Sequence, residues 1–319
     1  MIQEEVLNRT TETEPRPWAS PVRRPLADRP RAPHPPGRNR THSRSPIGSI
    51  LTAITQPFQY TALGVTLRRR LRRSCDLRPV EVSLGRGGPG LHGMRVAMLS
   101  DLHLGFYFSA SEFEELAREI SAWSPDIICF AGDLIDHDCA ELDSLRPGLA
   151  ALKAQNAVVA VPGNHEYTAE RDLRRFREVL DQAGVELLLN RGMRVRRGGD
   201  SLWIAGVDDL TAGEPDLEAA IRGLREEEPA LLLSHHPDMF CESAYSGVDL
   251  TLSGHTHGGQ ITWLGRPLVP PSHFTKLGYW QGRHQIEGAQ LLVGRGVGAV
   301  VLPIRIFAAP EVLLIELQT

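Results

Sequence analysis

The chain has 319 residues, 41% of them apolar, which allows one substantial core in a domain of about 250 residues plus an appendage. Its formal net charge of −4 conceals an asymmetry: residues 1–99 hold 17 arginines, no lysine and 7 acids, while the remainder holds 18 basic and 32 acidic residues. A basic tail on an acidic body points to an anionic partner for the tail, either lipid headgroups or nucleic acid. The four cysteines, Cys75, Cys129, Cys139 and Cys241, show no CxxC spacing, which excludes a motif of that kind and fits reduced structural thiols in a cytosolic setting.

Residues 1–44 are rich in Pro, Arg, Ser and Thr and contain no apolar h-region. No secretory signal peptide is expected there, and a disordered tail is. Proline and acid follow Arg23-Arg24, so a twin-arginine export signal is not expected either. No charge occurs between Ser45 and Leu67, and Ile47, Ile50, Leu51, Ile54 and Phe58 share one helical stripe. Thr, Gln, Ser and Gly dilute this stretch below what a spanning helix needs. With Arg68, Arg69, Arg70, Arg72 and Arg73 behind it, the element expected over 45–75 is amphipathic and basic, lying on an anionic membrane surface. A packing helix and a true span are the alternatives.

From Asp76 onward the pattern alternates between strands and helices. Strands are expected at 79–84, 94–100, 126–131, 157–161, 185–189, 202–206, 230–234, 249–253, 290–294 and 311–317. Helices are expected at 109–123, 143–155, 168–183 and 216–224, the first opened by Ser109 or Ser111. Runs such as VAMLS, IICFAG and ALLLS lack alternation, as strands buried on both faces do. Residues 76–319 are therefore expected to form one α/β domain.

Several of these runs end in residues that carry chemistry. Asp101 and His103 close SDLHLG, Asp133 follows in AGDLID, Asn164 and His165 in PGNHEY, His235 in LLLSHHPD, and His255 and His257 in SGHTHGG. A DxH or HxH pair alone is weak, because polar loops produce such pairs by chance. Residues two apart along a strand point the same way, which would align Asp101 with His103 and His255 with His257. Carboxylate, amide and imidazole donors without thiolate suit Mn²⁺, Fe²⁺ or Zn²⁺ rather than a structural zinc site.

The ordered set DxH…GD…GNHE…H…GHTH resembles the calcineurin-like metallophosphoesterases over about residues 90–319. The resemblance implies a four-layer αββα sandwich of two mixed sheets and two divalent metal ions. It implies that Asp101, His103 and His257 hold one ion and Asn164, His235 and His255 the other, with Asp133 bridging. His165 is implied to be catalytic, facing the substrate and assisting the leaving group. The implied reaction is hydrolysis of a phosphodiester or pyrophosphate bond by metal-activated hydroxide.

His137 stands where the protein Ser/Thr phosphatases of that superfamily carry an arginine, which argues against that branch. The C-terminal stretch LLVGRGVGAVVLPIRIFAAPEVLLIEL resembles a bacterial membrane-associated subgroup with relatives that cleave UDP-2,3-diacylglucosamine in lipid A synthesis. A phosphorylated small-molecule or lipid substrate is thereby implied, with the protein cytoplasmic and peripheral on the inner membrane face. Arg295 and Arg305 are candidate substrate contacts or structural ion-pair partners. Trp263 to Trp280, with Phe274 and Tyr279, is a candidate loop for an acyl chain or base, or plain core. The alternatives are a soluble phosphodiesterase or nuclease whose Arg-rich tail binds nucleic acid, and a non-catalytic scaffold with a vestigial metal site.

Overall fold

A computed structural model of the chain describes residues 24, 25, 28–32, 61–105, 107–136, 138–269, 275–300 and 304–319. The strands in chain order begin with β1 (Asp76–Ser83), β2 (Met94–Leu99), β3 (Ile127–Ala131), β4 (Ala157–Val161) and β5 (Glu186–Leu187). They continue with β6 (Arg191–Arg197), β7 (Asp200–Gly206), β8 (Ala230–Leu233) and β9 (Leu250–Ser253). A short hairpin, β10 (Thr262–Trp263) and β11 (Arg266–Pro267), precedes β12 (Gly282–Ile286), β13 (Ala289–Val293) and β14 (Glu311–Gln318). They assemble into two six-stranded sheets, ordered β1-β14-β2-β3-β4-β5 and β12-β13-β9-β8-β7-β6. In the first, β2 to β5 run parallel and β14 is antiparallel to β2. In the second, β7, β8, β9 and β13 run parallel between antiparallel edges β6 and β12.

Helices close the outer faces: α1 (Ala62–Arg73), α2 (Ala110–Ala122), α3 (Glu141–Ser144), α4 (Arg146–Ala151), α5 (Asn164–Ala169), α6 (Arg174–Gln182), α7 (Leu217–Ala220) and α8 (Phe240–Ser243). The strands alternate between two cores. Val96 and Met98 of β2 face the second sheet and meet Ile204, Leu231, Leu233 and Leu252. Ala97 and Leu99 face outward, against Phe113, Leu116 and Ile120 of α2. Each of those three side chains is fully buried and contributes about 1.5–3 kcal/mol. On the far side, Trp203 and Leu232 pack on Leu217 and Ala220 of α7. The result is the expected four-layer αββα sandwich of two mixed sheets.

Boundaries differ from expectation where edges and caps decide them. Strands β6 and β12 lie at sheet edges with one face toward solvent, so they carry no apolar run to betray them. Ser109 is the N-cap of α2, in a capping box with Glu112: the Ser109 N–H donates to Glu112 Oε2 at 2.9 Å. The expected helix 143–155 is two short helices, and Pro147 opens the second. The expected helix 168–183 splits because Leu173 adopts φ 54°.

The basic cluster falls on a helix. Residues 45–60 lie outside the described residues, and Arg68 to Arg73 belong to α1. Arg68 pairs with Glu112 at 3.1 Å and Arg72 with Glu119 at 2.6 Å. Leu71 is buried beside Tyr107 and Ala299. Among the described residues no helix is long and apolar enough to cross a membrane. Most of the expected disordered tail lies outside the described residues, yet a part of it is placed. Arg24 stacks 4.1 Å over Tyr245 and pairs with Glu287, and Arg29 bonds Glu218 and Ser246.

Candidate metal centre

The cluster forms where three parallel strands of the first sheet and two of the second end. Asp101 and His103 follow β2, Asp133 follows β3, Asn164 and His165 open α5 after β4, His235 follows β8, and His255 and His257 follow β9. Asp101, His103 and His257 bring ligand atoms within 4.8 Å of one another. So do Asp133, His235 and His255, and so do His103, Asp133 and His165. Asp133 belongs to two of the three groups.

His103 Nε2 lies 3.1 Å from His257 Nε2, and His235 Nε2 lies 3.2 Å from His255 Nδ1. Two imidazole nitrogens each about 2.1 Å from one cation, at ligand angles of roughly 90–110°, stand about 3.0–3.4 Å apart. Asn164 Oδ1 is buried and accepts no hydrogen bond, although a carbonyl oxygen so placed demands a partner. His235 Nδ1–H donates to the Ala131 carbonyl at 2.7 Å, and its Nε2 lies 3.1 Å from Asp133 Oδ2. Burial lowers the ring's pKa, but the Asp133 charge outweighs it and holds it well above the usual imidazole range, a proton that a cation would displace. These donors fit a divalent cation.

The backbone that presents them is strained. Asp101, His103, Asp133, His255 and His257 have φ of 52, 44, 53, 70 and 52°, the left-handed region that costs about 1–2 kcal/mol for an ordinary residue. Strand alternation is therefore not what aligns Asp101 with His103, because β2 stops at Leu99. Bonds between the loops hold the strain. The Asp101 and His103 N–H groups donate to Gly132 and Asp133 carbonyls at 3.0 and 3.1 Å, and the His255 N–H donates to Asp101 Oδ1 at 3.0 Å. Gly163 is required by close approach, since a Cβ there would collide with the Asp133 carboxylate.

Glu166 clamps the whole arrangement. Its wholly buried carboxylate accepts from the N–H groups of Asp133, Leu134, Ile135 and Gly163 at 3.0, 2.7, 3.3 and 2.7 Å. Burial and the Asp133 charge push its carboxyl up. Burial also opposes the Asp133 charge, but His235 and His165 hold that carboxyl well below the usual range. Burial, then the His235 charge, pulls His255 down to about 4. Burial, then the His103 and Arg305 charges, holds His257 well below the usual imidazole range. Both rings are therefore neutral and offer lone pairs near pH 7.

His165 is a quarter exposed, with 25% of its side chain open. Its Nδ1 bonds the Asp136 carbonyl, and its N–H donates to Asp133 Oδ1 at 2.9 Å. Burial lowers its pKa, but Asp133 and Asp136 outweigh that and raise it to about 9. His236 lies outside the cluster: its Nδ1 accepts from the Asp238 N–H at 3.3 Å while its ring lies against His255.

Arg295 and Arg305 sit behind the cage with internal partners. Arg295 pairs with Glu311 at 2.6 Å. Arg305 donates to the carbonyls of Gly298, His257, Arg295 and Ala308, and its Nη2 lies 3.1 Å from His257 Nδ1. Tyr279 is core, buried against Phe240 and Leu291, while Trp263 stands exposed on β10. Phe274 and His137 lie outside the described residues.

One neighbour escaped the sequence reading. Asp209, after β7, is buried; its Oδ1 accepts from Thr211 and Ala212 at 2.8 and 2.7 Å, and its Oδ2 has no partner. Its negative charge reaches both His235 and His255. The signal was present: IAGVDD repeats the apolar-run-then-acid pattern of IICFAGD.

Two mixed sheets in a four-layer sandwich, with His and Asp clusters where the strands end, define a metal-binding hydrolase of phosphate esters. The chain belongs to the calcineurin-like phosphoesterase family, whose model matches residues 94–259. It is 31% identical over 235 residues to the Bacillus subtilis metallophosphoesterase YkuE, covering 72% of this chain and 81% of that one. It is 30% identical over 252 residues to a Danio rerio transmembrane protein with a metallophosphoesterase domain, covering 75% of this chain but only 56% of the fish protein. Among solved structures, TT1561 of Thermus thermophilus aligns with 64% of this chain and 90% of its own, at 14% identity and a TM-score of 0.42.

Proposed function

We propose that the chain hydrolyses a phosphodiester or pyrophosphate bond at a centre of two divalent cations, Mn, Fe or Zn. The supporting observation is the pair of clusters around Asp133, beside an Asn164 carbonyl oxygen that is buried without a partner. Asp101, His103 and His257 would hold one cation, Asn164, His235 and His255 the other, and Asp133 both. When bound, such cations supply Lewis acidity that lowers the pKa of water and neutralises phosphoryl charge. The chain's own residues supply the rest. Glu166 and the strained loops fix the donors before substrate arrives, which avoids reorganisation during reaction. His165, a partly open imidazole, is held through Nδ1 by Asp136 and stands ready to exchange a proton with the leaving oxygen. Arg305 braces His257 from behind.

The substrate class proposed is a lipid-linked diphosphate such as UDP-2,3-diacylglucosamine, met at the inner face of a membrane. The C-terminal resemblance supports it, and so does the membrane location stated in the fish relative's name. The test is a panel of a chromogenic phosphodiester, a phosphomonoester, single-stranded DNA and the UDP-linked lipid, under Mn²⁺. Asp133→Asn is expected to lower every turnover by about 10³-fold. Wild-type-like turnover in that variant contradicts the metal roles. Preferred cleavage of DNA over the lipid diphosphate would make the protein a nuclease instead.

A further inference from the structure

Apart from Leu63 on α1, the large apolar side chains exposed among the described residues lie in two strips of chain that follow the cage residue His257. Trp263, Leu264, Leu268 and Val269 of the β10–β11 hairpin are exposed, as are Ile304, Ile306 and Phe307 across from them. The two strips are tied into one surface. Ile261 bridges Ile306, the Thr262 N–H donates to the Ile306 carbonyl at 2.9 Å, and Trp263 meets Phe307 edge to face at 5.9 Å. Gln260 locks the base, its side chain exchanging two 2.8 Å hydrogen bonds with the Val300 backbone. Five residues separate Trp263 from the cage residue His257, so this rim and the cage share one segment of chain.

Two of these residues are displayed at a cost. Leu264 and Phe307 are 86% and 74% exposed, and both sit in left-handed backbone, at φ 49° and 55°. Bulky residues rarely take that conformation, and large apolar groups gathered on a surface mark a contact. Charge identifies the partner. Residues 45–75 contain no acid, and residues 250–310 contain one, Glu287, which pairs with Arg24. The two stretches carry ten Lys and Arg in a chain that holds 39 acids elsewhere and here together. They also meet in space, because Leu71 of α1 packs on Ala299, next to Val300. Arg69, Arg70 and Arg73 on α1 and Arg266 on the hairpin are exposed.

We propose that this rim is a docking surface for an anionic lipid bilayer: Trp263, Leu264, Phe307 and Ile306 enter the acyl boundary while the arginines meet lipid phosphates. Exposed aromatic and aliphatic groups flanked by exposed arginines match an interface of that kind. Docking there sets the cage at the level where a lipid's phosphate bonds lie, a consequence that rests on the hydrolytic reading above. The surface itself does not.

The test is vesicle flotation of the full chain with phosphatidylcholine alone and with added phosphatidylglycerol. It uses the Asp133→Asn form, so that binding is read apart from hydrolysis. Retention on phosphatidylglycerol vesicles that weakens as salt is added is the expected result. Trp263→Ser with Phe307→Ser is expected to lower retention at least about tenfold. The same pair in the active chain leaves turnover of a soluble chromogenic phosphodiester within about twofold, because both side chains lie outside the core. A full chain that stays with neither vesicle overturns the proposal. So does a double variant retained like the parent, which would assign binding to residues 45–60 instead.

Discussion

Between Asp249 and Glu311 the chain builds two neighbouring regions that invert the usual partition of side chains. In the cage, charged and polar groups are buried; on the rim a few residues away, large apolar groups face water. Both use left-handed backbone, at His255 and His257 on one side and Leu264 and Phe307 on the other. In the cage that strain aims donors at one point, and hydrogen bonds between loops hold it. On the rim it turns apolar side chains outward, where no described residue covers them. A short segment can thus separate chemistry from location, and the two should respond to mutation independently.

The largest expected effect tests the cage side. Glu166→Ala strands four buried N–H donors, which destabilises the protein by about 3–5 kcal/mol. Thermal unfolding should shift down accordingly, and turnover should collapse with the loss of Asp133 placement. A melting temperature near that of the parent would show that Glu166 does not bind the two loops together. Smaller and more specific is Asp209→Asn. Removing a carboxylate that acts on His235 and His255 should weaken metal affinity about 10–100-fold while leaving the fold intact. Titration calorimetry with Mn²⁺ reads this directly, and unchanged affinity would reduce Asp209 to a cap for its own loop. Neither change should alter vesicle retention, and either doing so would merge the two regions into one.

How much of this was legible depended on whether a residue's role left a mark in its neighbours. Strands β2, β3, β4, β8 and β9 are buried on both faces, so their runs stand out, and the polar residues that end them were visible as candidates. Strands β6 and β12 sit at edges and hide among arginine, glycine and glutamine. Helix α1 was obscured because its run of arginines hides two roles: Arg68 and Arg72 tie the helix to Glu112 and Glu119, while Arg69, Arg70 and Arg73 are exposed. The left-handed conformation of Asp101 and His103 leaves no trace in composition, so their convergence was expected from strand alternation and arises from loop geometry. Asp209 carried a readable pattern that no motif reinforced.

The central claim is that distant loops converge to hold paired cations. Elemental analysis of chain prepared without chelators and reconstituted with Mn²⁺ tests it most directly. About two divalent ions per chain are expected, falling to fewer than about one in Asp133→Asn. No stoichiometric transition metal, before or after reconstitution, would contradict it.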